Sequence, residues 1–335
     1  MMRVTFHVGM GKTGSSTIQS ALTQNIQELA DKGVTYLGQW MDVIIPEMKG
    51  FLGFQSFLLQ SPTDLEASAH LLLDHMVKVS QEEGVHEFLI SNEQYLENIQ
   101  KLDGFFRILA SHVELRIVMF VRPPATWLPS AFIQWGVVHK TNLGPALPFE
   151  TMARRLMKQY EFIRQWREAH GNNVILKQFD ESTDVVEEFA RIIGVKLVSP
   201  SHRKQKRPSV NEIIMRASFN NGIKKIALPG SFDQLISQKI PQSTPLSLKT
   251  KFQHLFDYRD IPNILRENIE TLNYIEREFE IDITSQHPPE IPSFDLPALT
   301  DDLLGNILDI IFSQAHQIQD LRTRLEALER QNHEP

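Results

Sequence analysis

The chain has 335 residues, 41% apolar and 22% charged, with a net charge of −7 and a pI near 6.0. That composition excludes a disordered chain and argues against a nucleic-acid partner, because holding many phosphates needs a basic face. The absence of cysteine also excludes disulfides, thiolate nucleophiles and cysteine-ligated zinc or iron–sulfur centres.

Met1-Met2-Arg3 runs straight into Val4-Thr5-Phe6, without the charged segment, apolar run and cleavage site of a secretory signal. No stretch approaches the roughly 18 apolar residues of a membrane span, so a cytoplasmic protein is expected. Residues 3–8 read as a short strand and 9–14 as a glycine-rich turn. Residues 15–32 read as a helix with Ile18, Ala21, Leu22, Ile26 and Leu29 on one face, stopped by Gly33. Residues 34–37 make a second short strand, and 41–60 show no clean period and are expected to be loop with some helix. Ser61-Pro62 supplies an N-cap and a first-position proline for a helix reaching about residue 80.

Residues 87–91, 115–121 and 173–179 read as further strands, the second ending at Arg122-Pro123-Pro124. Residues 185–193 form a helix stopped by Gly194. Apolar strands alternating with helices predict an α/β fold with a parallel sheet flanked by helices, followed by a mainly helical C-terminal portion. The main domain is expected over 1–285, with a proline-rich linker at 286–299 and a last helix at 300–335. That helix places apolar residues at Leu304, Leu308, Ile311, Ala315 and Ile318, then at Leu321, Leu325 and Leu328. The spacing breaks once, between 318 and 321. The helix is therefore either a short coiled coil joining copies of the chain or a helix packed on its own domain.

The segment Phe6-His7-Val8-Gly9-Met10-Gly11-Lys12-Thr13-Gly14-Ser15-Ser16-Thr17 stands where the first strand hands over to the first helix. Its glycines let backbone N–H groups turn inward as an anion nest. The helix start adds partial positive charge, Lys12 adds a full one, and the hydroxyls of Thr13, Ser15, Ser16 and Thr17 are further donors. It is not a strict Walker A loop, because Ser15 stands where the lysine should be and Lys12 precedes the last glycine. Arg122 follows an apolar strand and is itself followed eight positions later by Ser130. A guanidinium can fork onto phosphate oxygens while a hydroxyl donates a further bond.

The order lysine, small hydroxyl, glycine, then several hydroxyl residues resembles the 5′-phosphosulfate loop of the sulfotransferases dependent on 3′-phosphoadenosine 5′-phosphosulfate (PAPS). The Arg122/Ser130 pair resembles that family's 3′-phosphate site. The resemblance covers roughly the first 220 residues, and its sugar-sulfating branch is the most similar. It implies a P-loop-like fold and transfer of a sulfuryl group from PAPS to an acceptor hydroxyl, without a required metal. The acceptor is expected to be a carbohydrate, or else a lipid or small molecule; the product is adenosine 3′,5′-bisphosphate. It further implies that Gly11, Lys12, Thr13, Gly14, Ser15, Ser16, Thr17, Arg122 and Ser130 bind the nucleotide and that Lys12 stabilises the leaving group. Arg203, Lys204 and Arg207 would belong to a late covering loop; a solvated basic face is the alternative. The base is a histidine in some branches and a glutamate in others, and Ser91-Asn92-Glu93 favours Glu93, unless Glu93 only caps the helix that follows.

Among the histidines, His7 lies in a strand and is expected to be a core residue, while His139 is a weaker candidate base. His70 and His75 are five apart, which does not set up a metal pair on a helix. The acceptor site is expected from residues 41–80 and 215–297, with Trp40, Phe51, Phe54, Phe57, Trp135 and Tyr258 either lining it or serving the core. A kinase or nucleoside triphosphatase is the alternative enzyme, but no glycine stands five residues before Gly11 and Arg122 occupies a position where a magnesium-binding carboxylate would serve. A glycosyltransferase is disfavoured by the lack of an Asp-x-Asp pair. A scaffold assembling through 300–335 is the non-enzymatic alternative.

Overall fold

A computed structural model describes residues 2–180, 182–200, 208, 210–221, 224–226, 228, 230 and 255–287, with isolated positions at 307, 310, 314, 318, 321, 324 and 325. The chain divides into two compact units. The first comprises Met1–Leu128, Arg154–Lys206 and Ile261–Pro288; the second comprises Pro129–Ala153, Arg207–Asp260 and Pro289–Pro335.

The first unit is built on five parallel strands: β1 (Arg3–Gly9), β2 (Val34–Tyr36), β3 (Glu87–Ser91), β4 (Glu114–Val121) and β5 (Val174–Gln178). They lie in the order β2-β3-β1-β4-β5. The described helices are α1 (Ser15–Gln24), α2 (Ile26–Ala30), α3 (Gly50–Phe57), α4 (Pro62–Glu83), α5 (Ile99–His112), α6 (Pro124–Phe132), α7 (Phe149–Leu156), α8 (Lys158–His170), α9 (Val185–Ile193), α10 (Val210–Asn221), α11 (Ile261–Glu267) and α12 (Ile269–Phe279). Among the described residues no helix is long and apolar enough to cross a membrane.

Strands β3 and β4 carry nearly continuous apolar runs, and in β1 Thr5 and His7 are buried along with the apolar residues they alternate with, because both faces of the sheet are covered. On one face Ile18 and Leu22 of α1 and Val186 and Phe189 of α9 pack on Leu89, Val118 and Phe120. On the other, Phe6 meets the rings of Tyr95 and Phe106 edge-on at 5.5 and 4.8 Å, and Trp166 of α8 closes on Phe106 at 4.8 Å. These T-shaped pairs are the arrangement that ring quadrupoles favour. In register, Phe6 lies opposite Ile90 of β3 and Ile117 of β4.

The expected parallel sheet flanked by helices is present, the segment 41–60 is loop with some helix as expected, and two details differ. The helix expected over 15–32 is two helices, divided at Asn25. The buried Asn25 amide donates to the carbonyls of Ala21 (2.7 Å) and Val198 (3.1 Å), and its oxygen accepts from the Val198 N–H. A side chain bonded this way competes with the backbone ladder and ends the run. The break leaves Ile26 exposed rather than on the buried face. Helix α4 begins as expected, with Ser61 Oγ accepting from the Asp64 N–H, but runs on to Gly84. The segment 41–60 contains α3 and a short 3₁₀ turn, Pro46–Met48.

In the second unit, Phe149 packs edge-on to Phe132 (5.4 Å) and Tyr258 (4.7 Å). The buried Lys140 ammonium donates to the carbonyls of Asn142, Gly144 and Lys225 at 3.0, 2.6 and 2.8 Å. A charge taken out of water needs such partners. The expected linker beyond 287 and the helix 300–335 lie outside the described residues, except for the seven isolated positions, which are helical.

Candidate nucleotide site

Strand β1 is central, and the chain leaves it toward β2 on one side while it leaves β4 toward β5 on the other. In an open parallel sheet the crevice beyond the carboxyl ends of such strands is where ligands collect. Three adjacent strands end there: β1 at the glycine-rich loop, β3 just before Glu93 and β4 just before Arg122.

The loop from Gly9 to Gly14 turns through left-handed backbone at Gly9 (φ +118°), Lys12 (φ +67°) and Gly14 (φ +86°). Gly14 is required twice over, since an added Cβ would stand 2.7 Å from Val185 Cγ1 of α9. Lys12 holds a conformation that costs an L-residue on the order of 1 kcal/mol, so the surrounding structure must fix it. Thr13 Oγ1 and Ser15 Oγ both donate to the Met10 carbonyl, and Trp127 Nε1 donates to the Gly11 carbonyl at 2.9 Å. Thr13 and Ser15 are buried and their hydroxyl protons serve the loop itself, whereas Ser16 and Thr17 are half-buried at the start of α1. Helix α1 has no side-chain cap and no acidic residue in its first turn. The Thr17 and Ile18 N–H groups bond the Gly14 carbonyl, while the N–H groups of Ser15 and Ser16 and the positive dipole end face the loop.

Lys12 is half-buried, and its pKa is lowered first by burial and then by the charge of Arg122; among the described residues no carboxylate offsets either effect. The Arg122 Nε donates to Thr126 Oγ1 at 3.1 Å, and the Arg122 carbonyl accepts from the buried Tyr160 hydroxyl at 2.6 Å. Tyr160 packs edge-on to Trp127 at 5.6 Å, the same tryptophan that holds Gly11. One aromatic pair thus ties the loop and the arginine into a single frame. The charge of Arg122 opposes that of Lys12, and an anion bound beside Lys12 offsets that repulsion. Ser130, also a residue of α6, falls in the second unit.

Asn92, not Glu93, caps the 3₁₀ turn Glu93–Asn98: its side-chain oxygen accepts from the Gln94 N–H at 3.0 Å, and its own N–H bonds the His7 carbonyl. Glu93 is left to face α1, where Gln19 Nε2 donates to its Oε2 at 3.0 Å and to the Ser91 carbonyl at 3.2 Å. Glu93 sits tight against the end of β1, since a Cβ added at Gly9 would lie 3.3 Å from Glu93 Cβ. The half-buried Tyr36 has its pKa raised by burial and by the charge of Glu93.

His7 is wholly buried between Phe120 and Phe189, with Nδ1 2.8 Å from Ser91 Oγ, and burial lowers its pKa to about 3. It is a neutral core histidine, as expected. His139 follows the π-helical turn Ile133–Val138 of the second unit, and burial lowers its pKa. Phe54 and Phe57 belong to the core, with Phe54 edge-on to Tyr95 and Phe57 to Phe105. Arg203, Lys204 and Arg207 lie outside the described residues. Among the described residues no cluster of three or more His, Asp or Glu stands together as metal ligands. Gln19, Trp127 and Tyr160 were not predicted as site residues: in sequence each is one more polar or aromatic position on a helix. Comparison with models of known protein families and with curated proteins finds no match.

Proposed function

We propose that the crevice is the nucleotide site of a PAPS-dependent sulfotransferase built on a P-loop-like strand-loop-helix. The observation that carries the proposal is that Lys12 stands within the electrostatic reach of Arg122 directly before the start of α1, which has no side-chain cap and no acidic residue in its first turn. The donor set fits a nucleotide with two anionic ends. Loop N–H groups from Gly11 to Ser16 together with Lys12 suit the 5′ end, and the Arg122 guanidinium suits a 3′-phosphate. When bound, PAPS supplies its sulfuryl group: the acceptor oxygen–sulfur bond forms and the bond from sulfur to the 5′-phosphate oxygen breaks.

Lys12 neutralises the charge that grows on the departing phosphate, an interaction strongest in the transition state. Glu93 takes the proton of the acceptor hydroxyl, and its carboxylate is aimed by Gln19. Half-buried Ser16 and Thr17 add donors beside the loop. The reaction needs positioning and charge stabilisation more than covalent help from the protein.

Calorimetric titration with adenosine 3′,5′-bisphosphate, with AMP and with ATP plus magnesium tests the proposal without a choice of acceptor. Tight binding of the bisphosphate with little response to the others is expected. Preference for magnesium-ATP would install the kinase alternative, and no nucleotide binding by folded protein would refute a nucleotide site altogether.

A further inference from the structure

A groove of about 700 Å³ runs along α1 from Ser16, at the edge of the loop, past Gln19 and Gln24 to Tyr36 and Trp40 after β2. Gln19 joins it to Glu93 through the 3.0 Å bond already described. The volume falls within the range of small-ligand sites, on the order of 300–1,000 Å³. None of its described lining residues carries a formal charge. What they offer is side-chain amides, hydroxyls and two half-buried aromatic rings. Trp40 is braced from behind by Phe54, ring centroids 6.0 Å apart, so its position is fixed by the core.

We propose that this groove is the acceptor site and that it takes a neutral, polyhydroxylated acceptor, a saccharide without carboxylate or sulfate groups. The proposal rests on the sulfotransferase reading for the name "acceptor", but the ligand class follows from the groove itself. Amides carry a donor and an acceptor side by side and match vicinal hydroxyls, while flat rings suit the C–H faces of a sugar. Gln19, Ser20 and Thr23 already donate within the fold, but a lipid would cover the amides of Gln24 and Gln39 without pairing them, at a cost of about 1–3 kcal/mol each. An acidic saccharide would bring its charge toward Glu93 with no lysine or arginine in the described lining to meet it, and like charges brought together discriminate strongly. Sequence alone directed the acceptor to 41–80 and 215–297. Trp40 is one of the aromatics already offered to the acceptor site, but the other residues come from α1, the end of β2 and the segment after it, and Gln19 and Gln24 look in sequence like the solvated face of a helix.

Fluorescently labelled full-length protein, saturated with adenosine 3′,5′-bisphosphate, is applied to a glycan array that pairs neutral saccharides with uronate-bearing and sulfated forms of the same backbones. Retention of neutral glycans at about tenfold or more over their acidic counterparts is expected. Trp40→Ala should lower that signal about tenfold, the scale of one lost ring contact. Gln24→Lys, at an exposed position of α1, should shift retention toward the acidic forms and decides the matter where Trp40→Ala fails to fold. Preference of the unaltered protein for acidic glycans, retention of none, or indifference to both substitutions overturns the groove assignment. Bisphosphate affinity is measured on the same sample: neutral-glycan binding without bisphosphate binding leaves the groove standing and removes the sulfotransferase, and the converse does the opposite.

Discussion

Lowering the pH from about 7.5 to about 4.5 is expected to cost this protein roughly 3 kcal/mol of stability through His7 alone. The imidazole is fully buried, and burial depresses its pKa from 6.5 to about 3. In the unfolded chain the same ring protonates near 6.5, so between the two values the unfolded state holds a proton that the folded state refuses. Each pH unit in that window favours unfolding by about 1.4 kcal/mol, and two units give roughly 3. The stability is fully present above pH 6.5, falls as the pH falls, and stops falling once the folded pKa of about 3 is passed. Urea unfolding of the wild type and of His7→Gln at matched pH values isolates the effect, because the remaining histidines cancel in the difference. The variant carries a fixed penalty for its new amide but no titration, so its stability should decline less steeply with acid by the stated amount. Parallel curves, or an NMR-observed His7 ring titrating near neutrality, would refute the burial argument and return His7 to the candidates for a base.

Lys12→Ala should abolish turnover while lowering bisphosphate affinity only moderately, as measured by single-turnover kinetics beside calorimetry; unaltered turnover removes Lys12 from the chemistry. Arg122→Ala should weaken adenosine 3′,5′-bisphosphate by about 1.5–3 kcal/mol and AMP far less, and equal losses for both nucleotides would count against a 3′-phosphate contact. Glu93→Gln should spare nucleotide binding and stop transfer, read out as product formation with saturating donor; normal activity points to another base. Gly14→Ala should destabilise the fold by about 1–3 kcal/mol, since it meets both a left-handed backbone and Val185 Cγ1 at 2.7 Å. Val185→Ala in the same chain should recover the steric part of that loss and leave the backbone part, as thermal unfolding will show.

Much of the architecture was legible because it rests on local rules. Strand β3 and helix α9 have the bounds that their apolar runs and the stop at Gly194 imply, and the N-cap Ser61 behaves as its Ser-Pro context demands. What failed was decided by partners distant in sequence. Asn25 breaks a run that looks helical because its amide finds the Val198 backbone, and no local pattern encodes that meeting. At the site, the loop and Arg122 were visible as motif and strand end, whereas the aromatic frame was not. Trp127 and Tyr160 look like any core aromatics, and only folding brings their N–H and O–H to Gly11 and Arg122. The rivalry between Glu93 as helix cap and Glu93 as a free carboxylate also needed coordinates, since Asn92 beside it is an equally good cap by type.

The central place of β1 has a further consequence for how the protein comes into being. Both neighbours of this strand, Glu87–Ser91 and Glu114–Val121, are translated long after it. At ribosomal speeds of about 5–20 residues per second, the strand and its loop wait on the order of 10 s before either flank exists to pair with them. During that interval an apolar segment beside a lysine-bearing loop has no sheet to join, and chaperones have their best opportunity to act. A nascent chain arrested before Glu87 should therefore hold no nucleotide at all, despite carrying the whole glycine-rich motif.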